Sequence, residues 1–113
     1  MRWKVIMWEM GCGNDWRGGD YTKAAERAVD DARHHSALTM LRTLGVGAQG
    51  MYVDVTIGVR KPEEVDRAAI QASLPHGTVT VNVVKGGLDI PDEALGDVAV
   101  IASAALVVRL ELP

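Results

Sequence analysis

Between Gly11 and Lys23 the chain gathers a thiol at Cys12, carboxylates at Asp15 and Asp20, an indole at Trp16 and cations at Arg17 and Lys23. Arg17 and Lys23 are suited to stabilising negative charge that develops on a substrate, and Asp15 or Asp20 to moving a proton. Together they fit an isomerase, cyclase or ring hydrolase acting on an anionic or carbonyl-containing small molecule, with no metal and no cofactor. Gly11, Gly13, Gly18 and Gly19 make the run a flexible loop ahead of a helix N-terminus, where backbone N–H groups and the helix dipole favour an anion. Gly11, Cys12, Gly13 and Trp16 are therefore expected to line the substrate. His35, Asp54 and Lys85 are expected to complete its surroundings from elsewhere in the chain.

Each residue also has a structural account. Asp15 in a glycine loop bonds its own backbone in an Asx-turn. Lys23 in a first helical turn opposes the dipole and calls for an anion or Asp20 beside it. Cys12 is inert without a neighbouring base, and Trp16 covers either a ligand or a neighbouring subunit. His34 and His35 diverge by about 100° on a helix, which keeps them from gripping one metal ion. His35 as a cation suits a helix C-terminus, and Asp54 and Lys85 read as a cross-strand pair. Two phosphate motifs fail outright: Trp16 stands where a dinucleotide fingerprint needs its third glycine, and Gly19-Asp20 where a P-loop needs Lys then Ser or Thr.

The run Gly11-x-Gly13-x-Asp15-x-Arg17-Gly18, followed by Asp20-x-Thr22-Lys23-Ala24-Ala25 and His35-Ser36-Ala37-Leu38, resembles an uncharacterised family of small bacterial proteins marked by an N-terminal GxGxDxHG motif. The resemblance extends through VDVTIGV and VVKGGLDIP and implies no activity. Arg17 occupies the motif's His position, exchanging a group that can give or take a proton near neutrality for a permanent cation. A reaction in which that His is acid or base would therefore be altered or lost here.

Composition narrows the setting. At 113 residues with 48% hydrophobic and 24% charged residues, the chain has the size and make-up of a single folded domain, 1–113. A net charge of −3 without any basic block removes the footprint of nucleic-acid binding. Cys12 is the single cysteine, which suits a reducing, cytoplasmic setting, and no window is apolar for the roughly 18 residues a membrane span needs.

The elements that position these groups follow from periodicity. Trp3 to Met10 reads as a strand ending at Gly11-Cys12-Gly13. Asp20 or Thr22 caps a helix with Ala24, Ala25, Ala28, Val29 and Ala32 on one face, and a second helical piece spans Leu38 to Leu44. Met51 to Arg60 alternates as a strand, Pro62 to Leu74 reads as a helix, and Thr78 to Lys85 as a strand. Gly86 to Asp97 reads as loop with one helical turn at Asp92 to Leu95, and Val98 to Leu112 as a last, well-covered strand.

The expected fold is an α/β (α+β) two-layer sandwich. It has a four-stranded mixed sheet with two to three helices on one face, in the order β-α-(α)-β-α-β-β. Tyr52, Asp54, Thr56, Thr80 and Asn82 then look away from the helices, which suits a homo-oligomer, expected as a trimeric ring with a small-molecule ligand at the subunit boundary. The alternative reading is a non-catalytic ligand-binding or structural oligomeric protein.

Overall fold

The computed structural model describes residues 2–34, 50–74 and 77–112. In chain order these form β1 (Arg2–Asp15), α1 (Tyr21–His34), β2 (Met51–Val59), a 310 turn (Pro62–Glu64), α2 (Arg67–Ala72), β3 (Thr78–Lys85), β4 (Leu88–Asp92) and β5 (Asp97–Leu112). His35, His76 and the helical piece expected over Leu38 to Leu44 lie outside the described residues.

The strands build one mixed sheet in the order β1-β5-β2-β3, and β4 also pairs with β5. β5 is antiparallel to β1, β2 and β4, and β2 and β3 are parallel, joined by a crossover through α2. The sheet therefore has five strands where the sequence predicts four. Leu88 and Ile90 alternate with Asp89 and Pro91 over only five residues, and the proline argues against a strand. Such a proline is tolerated because β4 is short and pairs on one side only, with β5.

The core lies between the sheet and α1. Ala24, Ala25, Ala28, Val29 and Ala32 of α1 face Val53, Val55, Ile57 and Val59 of β2 and Val100, Ala102, Ala104, Leu106 and Val108 of β5, all buried. α1 lies unusually close to β1, and the glycines are the reason. A Cβ on Gly13 would stand 2.2 Å from Ala28 N and 2.5 Å from Ala24 O, and one on Gly11 would stand 2.4 Å from Ala32 N and 2.6 Å from Ala28 O. Two residues of strand advance about 6.7 Å and four residues of helix about 6 Å, so glycines two apart meet alanines four apart along the whole contact. The sequence reading frees the backbone at Gly11-Cys12-Gly13 as a loop. Instead these residues are paired strand with Ala104, Ser103 and Ala102, and β1 continues to Asp15.

A second glycine crossing carries β3 into β4. Gly87, at φ 61°, leaves no room for a side chain, because a Cβ there would lie 2.2 Å from Ile101 O. The chain thereby steps past Gly58 at the end of β2 and continues along the same edge of β5.

Candidate functional site

The groups expected to act on a substrate sit where β1 ends beneath the start of α1. Asp15 is 6% exposed, and its Oδ2 accepts the Asp20 N–H at 2.9 Å while Oδ1 receives Arg27 at 3.5 Å. Asp20 caps α1, accepting the Lys23 N–H at 3.0 Å. Asp97 accepts the Gly18 N–H at 3.0 Å and its neighbour Val98 N–H at 2.8 Å. Three carboxylates thus occupy the backbone donors of Gly18, Asp20 and Lys23, the groups that would otherwise cradle an anion. Trp16 is 76% exposed, and the side chains of Arg17 and Lys23 are exposed.

Hydrogen bonds from Gly18, then from Val98, hold the Asp97 carboxyl below its ordinary value of 3.8, and Arg17 adds a smaller pull in the same direction. The folded pKa is the lower one, so the stability Asp97 contributes is complete above the unfolded value and is lost as pH falls through the folded one. An Asp97→Asn variant is expected to be less stable than the parent at neutral pH, with the gap closing below pH 3.8 in acid-unfolding curves.

A part-buried pair ties α1 to β4. Tyr21 is 5% exposed and donates its hydroxyl to Asp89 Oδ2, while Asp89 Oδ1 is buried without a partner among the described residues. Burial, reinforced by Asp89, pushes the Tyr21 phenol up to about 12 from 10.0. An unfolded tyrosine ionises first, so the contribution of Tyr21 is present below pH 10 and declines as pH rises towards 12. Tyr21→Phe strips the part-buried Asp89 carboxylate of its donor and is expected to cost about 1–3 kcal/mol in urea unfolding. Adding Asp89→Leu, which removes both partners, is expected to recover most of that loss.

The remaining expected residues are spread apart. Asp54 bonds Arg109, its diagonal neighbour on β5, rather than Lys85. Lys85 stands opposite buried Val59, on the helix side of β3. Cys12 is an exposed free thiol whose backbone N–H is bonded by Asp31. A groove of about 300 Å³ between α1 and the end of α2 is lined by Glu26, Arg27, Val29, Asp30, Arg33 and Ser73, and holds none of the expected residues. Among the described residues no group of His, Cys, Asp and Glu is placed to hold a metal ion, and no helix is long and apolar enough to cross a membrane.

The more pronounced feature is the sheet face away from α1. Rows across it read Val5-Arg109-Tyr52-Thr78, Trp8-Val107-Asp54-Thr80, Met10-Ala105-Thr56-Asn82 and Cys12-Ser103-Gly58-Val84. Below them Asn14, Ile101 and Leu88 align, then Ala99 and Ile90. Val5, Trp8, Met10, Tyr52, Val84, Leu88 and Ile90 are all exposed on this face, Trp8 at 68% and Met10 at 71%. Among the described residues its one close ion pair, Arg109 with Asp54, is internally neutral. The alternation of β2 and β3 announces the polar half of this face. The apolar half on β1 and β4 is missed, because a strand with large side chains on both faces shows no period-2 signal.

Among curated proteins nothing matches the chain. The crystal structure of an FtsZ-like protein of unknown function from Nostoc punctiforme is similar throughout, with TM-score 0.84 and 34% identity over 99% of each chain. The family model described as conserved hypothetical protein (Lin0512_fam) matches residues 5–108, and the chain belongs to that family.

Proposed function

We propose that the chain is a self-associating protein whose open sheet face is buried against further copies of itself. The observation that carries this is the concentration of exposed large apolar side chains on that face, from Val5, Trp8 and Met10 across to Leu88 and Ile90. Contiguous apolar surface of this kind marks an interaction site, and a nearly neutral face meets its own copy without opposing charge. Closed cyclic symmetry is the usual outcome, and three copies is the stoichiometry proposed. Cytoplasmic placement is proposed from the lone Cys12.

In this reading Gly11, Gly13 and Asp15 serve the fold, the glycines by admitting α1 and Asp15 by holding its N-terminus. The GxGxD run is then a packing signature of the family rather than a substrate loop. A second reading places an anionic or carbonyl small-molecule site, with acid/base chemistry, at the subunit boundary. It is favoured by the exposed Trp16 and by Arg17 and Lys23, whose side chains make no hydrogen bond to a described residue. For that reading, loss of ligand binding or turnover in Arg17→Ala is the expected result.

Cys12 tests the first reading, because it is the single thiol and lies within the open face. Its alkylation rate is expected to fall at least about tenfold as protein concentration rises through the association range. An alkylation rate independent of concentration would contradict burial of this face.

A further inference from the structure

Among the described residues the sheet has outer edges on β1, on β3 and on the short β4 that carries Pro91, and the first two are finished differently. On β1 the outward N–H of Cys12 is taken by Asp31 at 3.0 Å and the outward carbonyl of Asn14 by Arg27 at 2.5 Å. Two side chains one turn apart on α1 thereby cover this stretch of edge. On β3 the outward backbone groups belong to the odd-numbered residues. Gly86, next after the strand, donates inward to Val59 O at 2.8 Å, whereas the Val79 carbonyl faces out and is reached by Gln71 at 3.3 Å. Alternation then turns the N–H and C=O of Val81 and Val83 outward, and no described residue bonds them. β3 has no proline and no bulge, and its one charge, Lys85, stands at its end. An edge of this kind, with none of the usual protections, is a template for another strand.

We infer that β3 is a pairing edge and that its occupant is β3 of a second copy, antiparallel about a twofold axis at Asn82. Val81 then meets Val83 of the second copy and Val83 meets its Val81, each pair exchanging both N–H···O bonds. Asn82 faces its own counterpart at the close, non-hydrogen-bonded spacing, where two carboxamides can bond one another. Lys85 falls opposite Val79 of the second copy, so no like charges meet. Pairing β3 with the Cys12–Asn14 edge of β1 would first break the bonds from Asp31 and Arg27, whereas β3 with β3 leaves the central Val81 and Val83 groups free to pair and meets only the Gln71 bond to the Val79 carbonyl at the end of the ladder. An isologous pair also closes on itself, which suits a defined assembly rather than a fibre. The inference concerns the edge of the sheet and stands independently of what covers its face.

Amide hydrogen exchange on the unaltered chain, followed by NMR over a dilution series, is the test. The Val81 and Val83 amides are expected to exchange at least about tenfold more slowly in the associated state than in the dilute one. Val81→Pro removes an outward donor while leaving the inward ladder to β2 intact, and is expected to weaken this association about tenfold or more. A Trp8→Glu variant separates the two interfaces, since it should disrupt face burial yet keep the concentration-dependent protection at Val81 and Val83. Fast exchange at both amides at every concentration would overturn the inference, whether the protein associates through its face alone or the edge takes only a foreign peptide. Should Val81→Pro fail to fold, the exchange measurement on the unaltered chain decides.

Discussion

Replacing Gly13 with alanine is expected to destabilise the domain by about 3 kcal/mol or more, the upper end of what overpacking costs. The added methyl meets Ala28 N at 2.2 Å, Ala24 O at 2.5 Å and Arg27 C at 2.6 Å, all backbone atoms that no rotamer change can move aside. α1 would have to lift from β1, loosening the packing of Ala24, Ala28 and Ala32 and pulling Asp20 away from Asp15. For a domain whose whole stability is about 5–15 kcal/mol this is a severe loss. Gly50→Ala is the control, because its Cβ would meet nothing within 4 Å and its φ is not positive. Urea unfolding should show a collapsed midpoint for Gly13→Ala and little change for Gly50→Ala. A Gly13→Ala domain within about 1 kcal/mol of the parent would mean that the helix does not ride on this strand.

The second large effect is expected on the open face. Trp8 and Met10 stand in adjacent rows of the edge strand, 68% and 71% exposed, so changing them removes little from the folded monomer. Trp8→Glu together with Met10→Glu would place two carboxylates in a surface where Arg109 and Asp54 already neutralise one another. Buried aromatic anchors at interfaces are worth 2 kcal/mol or more each, so the double variant should associate at least about 30-fold more weakly while melting at nearly the parental temperature. Unchanged association would remove the face from the interface.

How much of this was legible in the sequence depended on whether one strand or helix carried its own signal. The alternation of Met51 to Val59 and of Thr78 to Lys85, and the alanine stripe of α1, gave those elements close to their observed bounds. The helix expected over Pro62 to Leu74 divides into a 310 turn and α2, with Asp66 capping the latter. Gly11 and Gly13 misled because glycine permits both a loop and a close approach. What decides between them is the alanine row of α1, which meets them only in three dimensions. Tyr21 and Asp89 lie 68 residues apart, and Arg109 and Asp54 lie 55 apart, so no local spacing could pair either couple. Asp15, Arg17, Asp20 and Lys23 are close along the chain. Yet Asp15 turns inward to Asp20 and Arg27, and Asp20 caps its helix, while Arg17 and Lys23 extend into solvent.

Sedimentation of the unaltered protein over a wide dilution series reads most directly whether the sheet face opposite α1 is an interface between copies of this chain. The expected result is a defined closed oligomer that dissociates to monomer on dilution and is reduced in the Trp8→Glu, Met10→Glu variant to no more than the β3-paired dimer. A single monomeric species at every concentration would contradict it.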